Sequence, residues 1–369
     1  MLRRSALISS LLLCCLAAPA AARGKTEVGT LNGAHFRIDV PDKWNGSLIM
    51  RCHGYSHIPG EAFDARKPDH VAEVFGPDGF AVAQSGYSAG GYAVREAVQD
   101  TEALRRYFEH RYGSTKQTWV VGESMGGYIT MMLLEMFPDT YAGALPLCAQ
   151  LGPVTTVEKE IVFDLLVVTE FFFPGLLPSP AQVPADFAMS RERPAAIVKA
   201  LESKPAAAAD LRRFSTVRTN KELSTLLDFY TYVLKEMQQR WGGNAFDNRD
   251  TIYGGFSDDE AVNDGVKRYA ANPRAAELAQ RYYTPTGQIA GPMLSIRTIY
   301  DNVLPAAASN RYAQIAQQAG RAALFAQKYV KGAGHCAITP EEIRAGFAEL
   351  RQWKQTGVRP KPGALTPGR

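Results

Sequence analysis

Strand-like and helix-like segments alternate along the chain from residue 47 to residue 148. The strand-like runs are short and apolar, and the two segments between the later runs have helical spacing of apolar residues, at positions 95–113 and 126–137. Parallel neighbouring strands need a crossover connection, usually a helix, whereas antiparallel strands do not. This alternation therefore predicts a mostly parallel central sheet with helices on both faces.

An antiparallel hairpin is predicted before the alternating part. The runs 26–31 and 34–40 are joined by the dipeptide Asn32-Gly33. Asn-Gly favours the tight turns in which both central residues have positive φ, and these turns join antiparallel strands. The run 47–52 is then the third strand, and the run 142–148 is the sixth.

The alternation stops at about residue 150 and returns at about residue 291. Between these positions the apolar residues recur at helical spacing, most clearly over 221–241. We therefore expect a large, mainly helical cap at 150–290, inserted after the sixth strand. The core is expected to consist of 23–149 and 291–369. Its last residues are rich in Pro and Gly and have no apolar periodicity, so they are expected to form a tail that does not pack on the core.

The first residues are typical of a secretory signal peptide. Arg3 and Arg4 precede an apolar run at 6–16, which is followed by small residues at 20–22. The run is shorter than the roughly 20 residues that a membrane-spanning helix requires. We expect cleavage after Ala22, a secreted or periplasmic protein, and no stable membrane span.

Composition argues against several classes of function. The chain has 369 residues with 41 Lys and Arg against 37 Asp and Glu, and their mixture forms no basic stripe for a nucleic acid. The sequence has no phosphate-binding glycine loop and no Cys or His spacing of a metal site. We expect no cofactor, no metal and no nucleic-acid partner.

Two segments contain Gly-x-Ser-x-Gly, with Ser88 and Ser124 at their centres. The pattern suits a nucleophile elbow, a sharp turn between a strand and a helix that exposes the serine. Both segments follow a predicted strand and precede a predicted helix. The local pattern alone does not decide which serine reacts.

Four motifs together resemble the α/β-hydrolase superfamily over most of the chain. They are HGY at 53–55, GESMGG at 122–127, YDNVLP at 300–305 and GAGHC at 332–336. In that fold the oxyanion loop follows the third strand and the nucleophile ends the fifth. The resemblance therefore implies that Ser124 is the nucleophile and that Ser88 is not.

The resemblance also implies the other members of a catalytic triad in the chain order Ser, acid, His. His335 lies on the loop after the last strand and is the expected base, with Asp301 as the acid that orients it. Asp164 and Asp247 are the alternatives for the acid.

The backbone of Met125, and of Tyr55 beside Gly54, is expected to form the oxyanion hole. His53 is then expected to be a structural hydrogen-bonding residue, and Glu123 a non-reacting one.

The expected function is hydrolysis of carboxylic esters that carry an apolar or aromatic group, in a small or oligomeric substrate. Tyr87 and Ser88 are expected to border the cleft, and Phe172 is a candidate substrate contact from the cap. The alternatives are a capped serine aminopeptidase or peptidase and a binding protein without catalysis.

Three cysteines follow the signal peptide, and their pairing stays open. Cys336 beside His335 resembles half of a pattern in tannases and feruloyl esterases, although Glu123 replaces the cysteine that precedes the serine there. A Cys52–Cys336 disulfide is one hypothesis, and a buried free thiol is the preferred interpretation of Cys148.

Overall fold

The computed structural model describes residues 24–366 except Pro59, Glu61, Pro68 and Asp69. The predicted signal peptide at 1–22 lies outside these residues. Within them, no helix is long and apolar enough to cross a membrane.

Nine strands form one sheet in the described part of the chain, in the order β1-β2-β4-β3-β5-β6-β7-β8-β9. Only β2 runs against the others. The strands are β1 Lys25–Leu31, β2 Ala34–Val40, β3 Ser47–Cys52, β4 Ala81–Ser85, β5 Gln117–Glu123, β6 Gly143–Leu147, β7 Met293–Tyr300, β8 Phe325–Ala333 and β9 Gly363–Ala364. The order of β1 to β8 is that of the α/β-hydrolase fold, and β9 adds a short strand at its edge.

The α-helices lie on both faces of the sheet and in the long connection between β6 and β7. They are α1 His70–Phe75, α2 Val94–Tyr112, α3 Met125–Met136, α4 Val154–Glu158, α5 Asp164–Phe172, α6 Arg193–Ser203, α7 Pro205–Ser215, α8 Asn220–Trp241, α9 Asp259–Gly265, α10 Pro273–Tyr282, α11 Ala307–Gln318 and α12 Pro340–Thr356. A π-helical turn, Lys159–Phe163, joins α4 to α5.

Side chains of the central strands are buried on both faces, as a sheet covered by helices requires. One face packs against α2 and α3, and its apolar core continues into the helices between β6 and β7. The other face packs against α1 and α12. The carboxyl ends of β3, β5, β7 and β8 therefore meet at one edge of the sheet, beneath those inserted helices.

Two local sequence predictions are confirmed. Asn32 and Gly33 both have positive φ and connect β1 to β2. Helix α8 begins at Asn220, one residue before the predicted start, and ends at the predicted Trp241. Thr219 and Glu222 form a capping box at its N-terminus, so that the helix start is encoded locally.

The prediction of an unpacked C-terminal tail was wrong for residues 363–365. Strand β9 pairs with β8, and the Leu365 side chain is buried against α12 and the sheet. The Pro/Gly-rich composition hid this pairing because only two residues have strand geometry.

The hypothesis of a Cys52–Cys336 disulfide and the interpretation of Cys148 as a free thiol were also wrong. A disulfide joins Cys148 to Cys336, with their Cα atoms 5.2 Å apart, and Cys52 is a buried free thiol. Cys148 follows β6 and lies near the carboxyl end of the sheet, where the loop after β8 approaches it. Burial raises the pKa of the Cys52 thiol to about 12, and a thiol of that kind has little thiolate at neutral pH.

Candidate active site

Ser124 occupies a strained turn between β5 and α3. Its backbone has φ 55° and ψ −124°, outside the regions that residues with a side chain ordinarily adopt. A Cβ on Gly126 would lie 2.0 Å from the Cys52 carbonyl oxygen, and one on Gly122 would lie 2.4 Å from the Gly126 oxygen. Glycines are therefore required on both sides of the serine because the backbones pack directly against each other.

Ser124, His335 and Asp301 form a continuous hydrogen-bonded chain. The Ser124 hydroxyl lies 2.9 Å from His335 Nε2, and the other ring nitrogen lies 2.9 Å from Asp301 Oδ2. With the Nδ1 proton donated to Asp301, Nε2 is left as the acceptor for the serine hydroxyl. The structure thus brings together three side chains from the ends of β5, β7 and β8.

The Asp301 carboxylate is held by donors on several sides. The amides of Val303 and Leu304 donate to Oδ1, and the guanidinium of Arg297 lies 3.5 Å from Oδ2. Burial acts to raise the pKa of Asp301, but the hydrogen bonds from His335 and these amides outweigh it and lower the pKa below its ordinary value. Asp301 is therefore ionised at neutral pH.

The two alternative acids are engaged elsewhere. Asp164 forms an ion pair with Lys159 and accepts a hydrogen bond from Tyr253. Asp247 is paired with Arg249 at the surface. Neither carboxylate is bonded to His335.

The expected oxyanion residues surround the serine. Met125 is the first residue of α3, where a backbone N–H has no intrahelical partner. A Cβ on Gly54 would lie 3.4 Å from Ser124 Cβ, so that the loop after β3 passes directly beside the nucleophile. Tyr55, next on that loop, lines the same cavity as Met125.

The other two polar neighbours of the serine have structural partners. Glu123 forms an ion pair with Arg51 at 2.5 Å. His53 is buried, stacks on Tyr87 with ring centroids 3.9 Å apart, and lies with Nδ1 2.7 Å from the Gly54 oxygen. Burial lowers the pKa of His53 to about 4, so its ring is neutral at pH 7.

A cavity of about 720 Å³ opens over Ser124 and His335. Its walls come from the sheet edge and from the insertion between β6 and β7, mainly from α8 and from residues 189–194 at the start of α6. The apolar lining includes Val162, Leu226, Phe229, Val233, Val303 and Leu304. A volume of this size suits a small organic substrate with an apolar group.

Sequence reasoning missed three polar residues in the cavity wall, namely Tyr92, Gln150 and Glu158. They come from distant segments and meet only in the folded chain. One signal was present for Glu158. It lies four residues from both Val154 and Val162, so a charged residue stands on a buried apolar stripe.

Tyr87, Ser88 and Phe172, the three expected substrate contacts, do not line this cavity. The Tyr87 ring is buried under the loop after β3, and its hydroxyl donates to the His53 oxygen. Ser88 is exposed and donates to Asp100. Phe172 packs on Phe171 and Phe256, where it holds helices of the insertion together.

Helix α8 is bonded to both loops that frame the serine and histidine. The Tyr230 hydroxyl donates to the carbonyl oxygen of Val303, two residues after Asp301. The Tyr55 hydroxyl donates to Glu236 at 2.5 Å. Burial, together with the proximity of this carboxylate, raises the pKa of Tyr55. The inserted helices are thus tied to the acid loop and to the loop after β3.

No protein-family model matches the sequence, and a search of curated proteins gives no match. Est1E from Butyrivibrio proteoclasticus is a similar structure, with 14% identity, a TM-score of 0.45, and coverage of 89% of this chain and 99% of that one.

TT1662 from Thermus thermophilus has 14% identity and a TM-score of 0.45, with coverage of 90% of this chain and 99% of that one. An acylaminoacyl peptidase from Pyrococcus horikoshii has 10% identity and a TM-score of 0.47, and the match covers 90% of this chain and 41% of that one. At these identities and TM-scores, the similarities do not define an activity for this chain.

Proposed function

We propose that this protein is a serine hydrolase that cleaves carboxylic esters with an apolar or aromatic group. The observation that carries the proposal is the hydrogen-bonded chain from Ser124 Oγ through His335 to Asp301. A serine hydroxyl hydrogen-bonded to an imidazole, which is in turn oriented by a buried carboxylate, is suited to acyl transfer.

The mechanism follows from the hydrogen bonds in this chain of residues. His335 Nε2 accepts the Ser124 proton while Oγ attacks the ester carbonyl, and the Asp301 carboxylate stabilises the imidazolium. The backbone N–H groups of Met125 and Tyr55 would donate to the oxyanion. The imidazolium then protonates the leaving alcohol, and water attacks the acyl-enzyme with His335 again as base.

The apolar part of the cavity supports an ester with an apolar or aromatic group. Leu226, Phe229 and Val233 of α8 face the space over the serine, and Val162 closes the same space from the π-helical turn. Burial of an apolar group there contributes roughly 25 cal/mol per Å² of surface removed from water. Substrate selection is therefore assigned to the inserted helices, while the bond cleavage is assigned to the sheet edge.

We propose further that the protein acts outside the cytoplasm. The support is the sequence pattern of a signal peptide at 1–22, together with the disulfide between Cys148 and Cys336, a bond that persists in oxidising compartments.

The test is hydrolysis of short and long p-nitrophenyl esters and of hydroxycinnamate esters by wild type, Ser124→Ala and Ser88→Ala. Ser88→Ala is the matched control because it removes a serine hydroxyl from the other Gly-x-Ser-x-Gly, whose serine does not line the cavity. We expect Ser124→Ala to lose all measurable turnover and Ser88→Ala to keep wild-type rates. An active Ser124→Ala enzyme would refute the assignment of the nucleophile.

Two further measurements separate the alternative functions. Turnover of aminoacyl anilides in preference to esters would favour a serine peptidase. A wild-type protein that hydrolyses none of these compounds, and whose Ser124 is not labelled by a fluorophosphonate, would favour a binding protein without catalysis.

A further inference from the structure

Three buried polar side chains form a cluster in the wall of the cavity over Ser124. Tyr92 precedes α2, Gln150 follows β6, and Glu158 ends α4. Their exposed fractions are 4%, 3% and 5%, yet all three line the cavity. Much of the surrounding wall is apolar, and this cluster is a buried polar site within it.

The hydrogen bonds within the cluster leave acceptors unused. Gln150 Nε2 donates to the Tyr92 hydroxyl at 2.8 Å, and that hydroxyl donates to Glu158 Oε1 at 3.0 Å. Because the Tyr92 proton goes to Glu158, the Gln150 amide nitrogen must face Tyr92. Among the residues that the structure describes, Gln150 Oε1 then has no hydrogen-bond partner. A buried acceptor without a donor is costly, by about 1–3 kcal/mol.

The cluster also lacks a compensating positive charge. The neighbouring Lys159 is bonded to Asp164 and Thr251, and no ion pair involves Glu158 in the described part of the chain. Three tyrosines, Tyr92, Tyr128 and Tyr230, are close enough to Glu158 to feel its charge. Burial accordingly raises the pKa of Glu158 to about 7, and hydrogen bonds from Tyr92 and Gln150 only partly oppose it.

The other carboxylates that line this cavity have partners that explain their presence. Glu123 is paired with Arg51, and Asp228 is paired with Arg193. Glu222 accepts hydrogen bonds from the backbone at the start of α8. Glu158 differs from them because it is buried in the cavity wall without a cation.

We propose that Glu158 and Gln150 form a subsite for an ammonium group of the substrate, so that the preferred esters carry a primary or tertiary amine. This inference rests on the proposed ester hydrolase function. A primary ammonium supplies N–H donors to both Gln150 Oε1 and the carboxylate, and a tertiary ammonium supplies one N–H to either of them. The charge of both compensates that of Glu158. A hydroxyl would supply one proton and no charge, so it would leave the carboxylate uncompensated.

The experiment compares esters that differ only at one position. On the acyl side the probes are ethyl esters of phenylalanine, 2-hydroxy-3-phenylpropionate and 3-phenylpropionate, which carry an ammonium, a hydroxyl or a hydrogen at the same carbon. On the alcohol side they are the 2-(dimethylamino)ethyl and 3-methylbutyl esters of 3-phenylpropionate. The two sets show on which side of the scissile bond the amine is held.

We expect wild type to prefer the ammonium-bearing member of at least one set. Glu158→Gln keeps the size of the side chain and an acceptor for Tyr92, and it should lower kcat/KM for that member by about tenfold or more, mainly through KM. Turnover of the neutral esters should fall less than that of the ammonium-bearing member, so that the preference itself decreases. Glu277→Gln, the same change at an exposed position of α10, should leave the preference intact.

Equal effects of Glu158→Gln on charged and neutral esters would overturn the proposal, as would a wild-type preference for the hydroxyl-bearing ester. Gln150→Met is a second variant, which removes the unpartnered acceptor at similar volume, and it should weaken the same preference.

A binding measurement tests the subsite without turnover. We expect 2-phenylethylamine to raise the Tm of wild type but not that of Glu158→Gln, and 2-phenylethanol to have no such selective effect. Equal shifts in both proteins would refute the subsite. If no ester is hydrolysed while this selective shift is present, the proposed function fails and the ammonium subsite stands.

Discussion

Cys336 is joined by a disulfide to Cys148, and it directly follows His335 in the chain. The bond connects the loop that carries the imidazole to the end of β6, beside the strand that ends at the serine. The two cysteines are separated by 188 positions, so the bond closes a loop that includes the inserted helices. Its position assigns it a role in holding His335 as well as in stabilising the fold.

The first prediction concerns this disulfide. Cys148→Ser/Cys336→Ser should lower the free energy of unfolding by about 2–5 kcal/mol because the unfolded chain loses a constraint. It should also lower kcat by roughly 10-fold to 100-fold through displacement of His335. Denaturant unfolding and ester turnover measure the two effects.

Cys52→Ala is the control for the disulfide variant, and it should keep the wild-type kcat. Thiol titration of the unfolded mature protein should find one free thiol before reduction and three after it. A finding of three thiols without reductant would show that the disulfide is not formed.

The second prediction concerns Arg297, a buried residue of β7 that is bonded to the loops around the acid. It donates to the carbonyl oxygens of Ala149 and Leu304 and lies 3.5 Å from the Asp301 carboxylate. Arg297→Met would leave that carboxylate buried with one positive charge fewer, at a cost of about 3–5 kcal/mol in stability.

The Arg297 variant should lower kcat more than it changes KM, because Arg297 positions the acid and does not line the cavity. Arg297→Lys should be more stable than Arg297→Met but less stable than wild type, since lysine has the positive charge without the planar guanidinium. A variant with unchanged kcat would contradict this positioning role.

The third prediction concerns the pH dependence of stability. The pKa of Glu158 is about 7 in the folded protein and about 4.3 in the unfolded chain. Between these values the folded state binds more protons, so the contribution of Glu158 to stability falls as pH rises from about 4.5 to 7. Glu158→Gln removes this loss and should be more stable relative to wild type at pH 8 than at pH 5, by about 3 kcal/mol.

Urea unfolding at the two pH values gives this difference directly. Asp301 and the other shifted carboxyls are present in both proteins, so their contributions cancel in the comparison. Glu277→Gln should show the same difference from wild type at both pH values. A pH-independent difference for Glu158→Gln would show that the buried carboxyl has an ordinary pKa.

The fourth prediction concerns the hydrogen bond between Tyr55 and Glu236. Tyr55→Phe removes the hydroxyl that ties the loop after β3 to α8, and it should lower kcat by about 5-fold to 20-fold because an oxyanion donor is held less firmly. Tyr107→Phe is a matched control, since it also removes a tyrosine hydroxyl that donates to a glutamate, Glu27, far from the cavity. Steady-state kinetics with one p-nitrophenyl ester distinguish the two variants, and equal kcat values would refute the prediction.

Two kinds of feature were predictable from the sequence: those set by neighbouring residues, and those set by the order of strands and helices along the chain. The Asn32-Gly33 turn and the capping box at Thr219 act through neighbouring residues, so their patterns identify the hairpin and α8. Ser124 and Ser88 have the same local pattern, and only the order of strands and helices before each separated them. The order of elements before Ser124 matches the position of the nucleophile in the fold, and Ser124 is the serine that the structure places beside His335.

The features that the sequence did not reveal depend on contacts between distant segments. Tyr92, Gln150 and Glu158 are separated by as many as 66 positions, and no short pattern links them. The Cys148–Cys336 disulfide also joins distant segments, because only the placement of β6 and β8 in the sheet brings the two cysteines together. The sequence could not distinguish a cavity position for Phe172 from the packing on Phe171 and Phe256 that the structure shows, because an aromatic side chain suits both.

The two anchors of α8 also bear on how such an enzyme could diversify. Tyr230 and Glu236 hold the helix to the acid loop and to the loop after β3, whereas Leu226, Phe229 and Val233 on the same helix face the cavity. Exchanges at the three cavity positions would alter the accepted substrates without loosening the loops. Natural or laboratory evolution of new specificity should therefore accumulate changes at the cavity positions while retaining both anchors.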